Sequence, residues 1–598
     1  MRILLLCHSF NSLSQRLYAE LQACGHTLSV ELDIADSVTQ EACALFQPDL
    51  LIAPFLKRRI PESVWSTLLC LVLHPGPPGD RGPAALDWAV LEQQPQWGVT
   101  VLQANGDFDA GPVWAHAGFA MRASSKGSLY RAEVTRAAVM AVLQAVERVE
   151  KKTGVVMQPP APAEALPLRA AHAAPHWRPA MPQATRRIDW QQDSSAHILA
   201  RIRSADGQPG VQDKVFGHSC HLFDAHPASG SALQALEQMA ATANAENGIR
   251  FGPGAIVAHR DGALLRRTVD GGIWIGQVRL ARACGTDAPF KLPATLAFAA
   301  EAASLPVWDL QLQRADGEWA ELRYWEVEQS GVRIGCLSFD FYNGAMSTAQ
   351  CQRLLAALDH IKTRPTRVLL LLGGQDFFSN GIHLNCIEAA AHHVGSSAAD
   401  ASWDNINAMN DVARALIEDT TRLTVAVLRG NAGAGGVFLA LAADEVWAAP
   451  GTVLNPHYRN MGNLYGSEYW TYLLPRRLGP EAAQHLMRQR LPLLGVEALR
   501  RGLIDHCFHT AADIEAQVIP RALALASAYN FKDRLTKKQQ VRATDEATRP
   551  LADYRKDELN RMHRNFYGFD PSYHVARYHF VHKLPHAWTP RHLALHRP

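Results

Sequence analysis

Two places in the sequence put chemically able residues where an apolar segment ends. The first is His74. It closes the apolar run Cys70–His74 and opens a turn of proline and glycine, Pro75-Gly-Pro-Pro-Gly-Asp-Arg-Gly-Pro83, that carries Arg81. After Gly98-Val-Thr-Val101 comes a second turn, Asp107-Phe-Asp-Ala-Gly-Pro-Val113, which contains Asp109. An imidazole at a strand end can give or take a proton, and a carboxylate beside it sets its tautomer and raises its basicity. The second place is glycine-rich. Phe377-Phe-Ser-Asn-Gly-Ile-His-Leu384 holds Gly381 and Ile382, and Arg429-Gly-Asn-Ala-Gly-Ala-Gly-Gly-Val-Phe438 holds Gly435 and Gly436. A helix that starts at such glycines leaves backbone N–H groups unpaired and lets an acceptor come close. The plainer alternatives are a helix-capping Asp, a strand-end His, and glycines that serve tight helix–strand packing.

These residues need elements to hold them. The chain has 598 residues, 47% of them apolar, which suits two to four domains with ordinary cores. Residues 1–150 alternate strand and helix: Arg2–Cys7, then 28–34, 49–55 and Cys70–His74 read as strands. That alternation predicts an α/β fold with a mostly parallel sheet, where ligands sit at the carboxyl ends of strands. Residues 151–185 are rich in Pro and Ala and read as an extended connection. A helical block over 194–204 precedes a stretch from about 220 to 280 with short alternating runs and Gly-rich turns, which predicts a small β-rich domain. A third unit, α/β again, runs from 319 to 508, with strands at 321–327, 332–341, 367–372 and Leu423–Leu428. The tail, 526–598, is polar, basic and aromatic, and reads as a helical arm that packs on something else.

Composition excludes several classes. Net charge is only +2 with no long basic run, so nothing supports nucleic-acid binding. The ten cysteines form no CxxC, so neither a zinc ribbon nor a thioredoxin motif is present and no metal site is expected. The apolar start MRILLLCHSF is too short for a signal peptide. No run of about 20 apolar residues predicts a membrane span. A reducing cytoplasm is the expected location.

The HP…P…RG…P loop, the GVT segment and the D-x-G-P turn together resemble the formyl-tetrahydrofolate-dependent transferases. Arg187-Ile-Asp-Trp190 and Ala196-His-Ile-Leu-Ala-Arg-Ile-Arg203 resemble that family's hinge, and residues 255–278 its C-terminal barrel. The resemblance implies that His74 and Asp109 form the acid–base pair, with Arg81 bracing the loop, and that 10-formyltetrahydrofolate binds there. One departure stands out: the family's usual Asn two residues before the His is Val72 here. Loss of such an oxyanion donor costs roughly 3 kcal/mol in other enzymes. Another donor must replace it, or the acceptor is more reactive than an amine; a thiol would suit.

The F-S-x-G-x-[DH]-L turn and the glycine-rich helix start resemble the crotonase (enoyl-CoA hydratase/isomerase) family. That implies a ββα spiral and a thioester oxyanion hole made by the N–H groups of Ile382 and Gly435, flanked by Gly381 and Gly436. Hydratases carry two water-handling glutamates, and by alignment those places hold Phe438 and His457. Water addition is therefore not expected. His457, Tyr458 and Glu468 remain as candidate side chains, each equally readable as packed or solvated.

The order of these parts, with Asn455-Pro-His-Tyr458, Gly466-Ser-Glu-Tyr-Trp-Thr-Tyr472 and Asn565-Phe-Tyr-Gly-Phe-Asp-Pro-Ser-Tyr-His574, resembles HoxX-type [NiFe] hydrogenase maturation proteins over essentially the full length. It implies four parts: 1–185 formyltransferase-like with its linker, 186–290 hinge and small OB-like β-barrel, 300–525 crotonase-like, and 526–598 a helical arm. It further implies coenzyme A as formyl acceptor and carbon monoxide as product. Small molecules are the expected partners, with a hydrogenase large-subunit precursor or other maturation proteins, and no nucleic acid or membrane. The loop His8-Ser-Phe-Asn-Ser-Leu-Ser-Gln-Arg16 could hold coenzyme A phosphates through Ser12, Ser14 and Arg16. Simple N-capping by Ser12 or Ser14 is the alternative. Transfer to an amine acceptor, and a folate- and acyl-CoA-binding scaffold without turnover, are the rival functions.

Overall fold

The computed structural model describes residues 1–152, 176–228, 238, 252–282, 289–314, 318–510 and 513–597. Most of the expected Pro-rich connection lies outside them, as does Cys284; the other nine cysteines are free thiols.

The front unit is built on a six-stranded sheet. Its order is Thr27–Leu32, Arg2–Cys7, Leu50–Phe55, Cys70–His74, Gln96–Gln103 and Val113–Ala120. The central strands are apolar runs because both faces are covered. Ser12–Ala23 lays Leu13, Leu17 and Leu21 on one face, beside Val142, Val146 and Val149 of Thr135–Lys152. Asp36–Phe46 lays Ala42 and Phe46 on the other. The sheet is mixed rather than mostly parallel: its first four strands are parallel, and the last two run antiparallel. The reason is local. Gln96–Gln103 and Val113–Ala120 are a hairpin, and its loop, 104–112, brings Asp109 back to the strand end that carries His74.

The second unit packs the helix Ser195–Ala205 on an antiparallel sheet. Ser194 caps that helix through the His197 N–H. Ile198 and Ile202 meet Leu222, Ile273 and Ile275. The strand order is Ile256–Arg260, Ala263–Arg267, Gly272–Leu280, His218–Pro227 and Val211–Val215, and Leu292–Pro293 adds to the middle one. Among the described residues no pairing joins the two edge strands, so the expected small barrel is present as an antiparallel sheet without a closing ladder.

The rear unit is a spiral. Each turn gives one strand to a large sheet, one to a small sheet, and then a helix. Val368–Gly373, Leu423–Leu428 and Glu445–Ala448 are neighbours in the large sheet; Phe377–Ser379, Asn431–Gly433 and Val453–Asn455 are neighbours in the small one. The passage from large to small sheet places both glycine-rich turns at one end of the spiral.

The tail forms the helices Phe531–Thr548, Leu551–Tyr567 and Ser572–Val581. Met562, Phe566 and Tyr573 enter the rear core, and Leu593 enters the front one. There the fully buried Glu31 meets Thr589, His596 and Arg597. The front and rear units also touch directly. Asn455 donates to Gln15 at 2.9 Å, Arg131 pairs with Asp376 at 2.8 Å, and Ala19 packs on Val453 and Leu494. No helix among the described residues is long and apolar enough to cross a membrane.

Candidate active site

His74 ends its strand almost fully buried, with both ring nitrogens engaged. Nε2 lies 2.9 Å from Asp80 Oδ2, and Nδ1 lies 3.4 Å from Asp109 Oδ2. Gly76 makes this possible: a Cβ there would sit 2.5 Å from both His74 Nε2 and Asp80 Oδ2. Asp109 has a left-handed backbone, with φ of 50°, and accepts the Gly82 N–H at 3.0 Å. Burial alone would push the imidazole down, but Asp109 and Asp80 outweigh it and raise His74 to about 9. Burial also opposes the charge on Asp109, yet His74, the Gly82 N–H and Arg81 hold it below the usual carboxylate range. The group at neutral pH is thus an imidazolium between two carboxylates. Asp80 is the deeper partner, and Asp109 the looser and more exposed one, at 17% side-chain exposure against 6%. Arg81 braces the loop by pairing its backbone with Trp177, and Arg178 Nε lies 3.5 Å from Asp80.

The rear site gathers Tyr458, Glu468 and the glycine turns. The Tyr458 hydroxyl donates to Glu468 Oε2 at 2.5 Å and lies 3.0 Å from the Ser467 carbonyl. Gly466, with φ of 93°, folds the chain back tightly: a Cβ there would run into the Tyr458 ring. The other face of the carboxylate lies on Gly435, where a Cβ would sit 2.7 Å from Glu468 Cδ. Gly381 meets the same spot, since its Cβ would come 3.4 Å from the Gly435 nitrogen. Gly435 opens the helix Gly435–Leu441, so its N–H has no intrahelical acceptor. Ile382 follows Gly381 in a two-residue strand paired with Ala345–Met346. Gly436 is crowded by Ser379, where any side chain would collide. Burial pushes the Glu468 carboxyl up to about 7 against the stabilising Tyr458 hydroxyl, and the same burial, with Glu468, raises Tyr458. Phe438 is fully buried and stacks on Tyr458, centroids 5.4 Å apart and planes 14° apart.

His457 is not joined to this group. It is buried, both its ring nitrogens lack partners, and burial with His592 and Arg490 pushes it down to about 4. The first helix also differs from expectation. Its cap is Asn11, whose Oδ1 accepts the Ser14 N–H at 3.0 Å, rather than Ser12 or Ser14. Ser14 is fully buried, which removes its hydroxyl from phosphate binding by way of solvent. Arg16 is bound to Glu20 and lies against Gly451 of the rear unit. Val72 packs with apolar neighbours and supplies no donor.

Sequence reasoning missed Asp80 and Asn410. Asp80 had a signal, as the only carboxylate in the Pro/Gly loop after His74. Asn410 had none: it lies on a distant helix, and its Oδ1 accepts the Ser467 hydroxyl and the Glu468 N–H, both at 2.8 Å. Glu388, His392 and His582 bring three ligand-type atoms within 4.8 Å of one another, but Glu388 is already paired with Arg577 at 2.7 Å.

Comparison with known proteins agrees with both halves. Residues 180–288 match the family of formyl transferase C-terminal domains, and 341–591 match the enoyl-CoA hydratase/isomerase family. Enoyl-CoA delta isomerase 2 of Arabidopsis thaliana is 29% identical over 184 residues, 29% of this chain and 70% of that one. HypX from Aquifex aeolicus, solved in complex with tetrahydrofolic acid, superposes over 100% of this chain and 99% of its own, with TM-score 0.89 and 42% identity. The hydrogenase maturation factor HoxX of Bradyrhizobium diazoefficiens is 53% identical over all 598 residues and 97% of its own length. The chain belongs to the HoxX family of hydrogenase maturation factors.

Proposed function

We propose that the chain makes carbon monoxide in two steps. It moves a formyl group from 10-formyltetrahydrofolate to coenzyme A at His74, then releases CO from formyl-CoA at Glu468. The observation that carries this reading is the Glu468 carboxyl. It is buried, its proton affinity lies near neutrality, and it is set between Tyr458 and the Gly435 helix start, with Phe438 where a water-handling acid would be needed. A base beside an oxyanion hole, without a second acid to deliver water, suits proton abstraction rather than hydration. The tetrahydrofolic acid complex of HypX supports folate binding by this chain, and the formyl transferase match supports the unit around His74 as its site. We assign transfer to 1–185 with the hinge and sheet of 186–290, and CO release to 300–525 completed by the arm 526–598.

In the first step His74 keeps Nε2 on Asp80 and turns the longer Nδ1 contact to the formyl oxygen. Asp109, the more exposed carboxylate, takes the thiol proton. The C–S bond forms, the C–N bond breaks, and the proton ends on the folate nitrogen. In the second step the N–H groups of Gly435 and Ile382 hold the formyl oxygen. Glu468 takes the formyl proton, the C–S bond breaks, CO leaves, and the carboxyl returns the proton to sulfur. Coenzyme A is regenerated. Phe438, fully buried against Tyr458, puts an apolar ring where a water would have to be held, which disfavours hydrolysis of the thioester. A hydrogenase large-subunit precursor or another maturation protein is the partner on the receiving side, in a reducing cytoplasm. The test is anaerobic incubation with 10-formyltetrahydrofolate and coenzyme A over reduced haemoglobin. Carboxyhaemoglobin supports the reading; formate as sole one-carbon product overturns it.

A further inference from the structure

We propose that Glu558, on the tail helix Leu551–Tyr567, is a positioning residue for Glu468: it clamps the turn that carries that carboxylate and forms with it a buried carboxyl pair. The inference rests on Glu468 as the base of the rear site. Glu558 is fully buried. Its Oε2 accepts the Tyr469 N–H at 2.9 Å, and its Oε1 accepts the Thr471 N–H at 2.8 Å and the Thr471 hydroxyl at 2.6 Å. Those donors open the helix Trp470–Leu478, which has no side-chain cap of its own. A carboxyl group from another element fills that role as the acceptor.

The turn needs such a clamp. Glu468 and Tyr469 have φ of 56° and 59°, conformations that cost a non-glycine residue free energy. The tail helix holds the same turn twice more: Met562 Sδ lies 3.1 Å from the Gly466 nitrogen, and Asn565 Oδ1 accepts the Tyr465 N–H at 3.1 Å. Positions 558, 562 and 565 share one helix face. The arm is thereby part of the rear site.

The charge follows from the same packing. Burial and the nearby Glu468 push Glu558 up to about 8 against its three donors. Two neighbouring buried carboxyls do not ionise independently: Glu468, at about 7, ionises before Glu558, at about 8, and its charge helps to keep the Glu558 proton in place. The other groups facing them are Tyr458 and Tyr469, Cys351 from the helix Thr348–Lys362, Arg414 from Ala398–Glu418, Arg555 on the tail helix itself, and Tyr465 beside it. Arg555 is already paired with Asp411 at 2.6 Å.

The experiment is an infrared titration of the protonated carboxyl stretch in the full chain, with Glu558→Gln marking the Glu558 band. In Glu468→Gln the Glu558 midpoint should fall by roughly half a unit to one unit, because the charge that Glu468 acquires first has gone. An unmoved midpoint in folded protein overturns the inference. If Glu468→Gln does not fold, Thr471→Val serves. It removes one donor to the Glu558 carboxyl and should raise the Glu558 midpoint; an unmoved midpoint there is equally fatal. CO release from supplied formyl-CoA, followed against pH in the same proteins, separates the two readings. A shifted midpoint without CO release from wild type leaves the coupling standing and removes the decarbonylation. CO release with an unmoved midpoint removes the coupling alone.

Discussion

Gly435→Ala is the sharpest single perturbation of the rear site. The substitution keeps the backbone N–H, so the oxyanion donor survives. What changes is space: the new methyl would sit 2.7 Å from Glu468 Cδ and 3.0 Å from Oε2, and nearer still to Oε1. The carboxylate must retreat by roughly 1 Å to reach ordinary contact distance. It cannot do so freely, because Tyr458 holds Oε2 at 2.5 Å and Asn410 holds the Glu468 N–H at 2.8 Å. A displacement of about 1 Å in a reacting group costs on the order of 100-fold in rate, or about 2.7 kcal/mol of barrier. The assay is CO release from supplied formyl-CoA beside formyl transfer from 10-formyltetrahydrofolate to coenzyme A, with circular dichroism to confirm folding. CO release should fall about 100-fold and transfer should stay at the wild-type rate. Wild-type CO release in the folded variant would refute the placement of Glu468 as the base.

Three further outcomes follow from the geometry. Asp80→Asn removes the buried carboxylate 2.9 Å from His74 Nε2, so formyl transfer should fall by about 100-fold or more while CO release from formyl-CoA persists; an unchanged transfer rate would return the orienting role to Asp109. His74 is raised to about 9 from its ordinary value of 6.5, so the stability it contributes is full below about pH 6.5 and is lost as pH rises through about 9. Urea unfolding of wild type against His74→Gln should show a gap of about 3 kcal/mol at pH 6 that narrows by pH 10, and a gap that widens over that range would contradict the imidazolium. Removal of residues 589–598 strips Thr589, His596 and Arg597 from the fully buried Glu31. It should destabilise the front unit by about 3–5 kcal/mol, and an unshifted unfolding transition would show that the tail contact carries no stability.

The order of units and most strands could be read from the sequence because their signals are local. Cys70–His74 and Leu423–Leu428 are apolar runs of strand length, and the two turns that follow them carry their own motifs. What could not be read depends on folding back. The antiparallel hairpin 96–120 defeats an alternation rule that expects parallel strands, since its two strands are joined by a loop too short for a crossover. Tyr458 and Glu468 were both visible as candidates, but their pairing rests on the left-handed backbone at Gly466, Glu468 and Tyr469. His457 shared their motif and yet is buried without a hydrogen-bond partner for either ring nitrogen. The cap of the first helix is Asn11 where Ser12 or Ser14 was expected, because Asn and Ser are equally good caps until the backbone is known. Glu558 had no local signal, because its role exists only once the arm is docked on a turn 87 residues earlier.

The central claim is that coenzyme A carries the formyl group between two sites and is returned. The most direct measurement uses 10-formyltetrahydrofolate labelled with ¹³C in the formyl group, with coenzyme A at about one tenth of the folate concentration. Product is read as the infrared stretch of ¹³CO on reduced haemoglobin. The account predicts ¹³CO in several-fold excess over coenzyme A, and none when coenzyme A is left out. Labelled formate without ¹³CO, or ¹³CO formed equally well in the absence of coenzyme A, would contradict it.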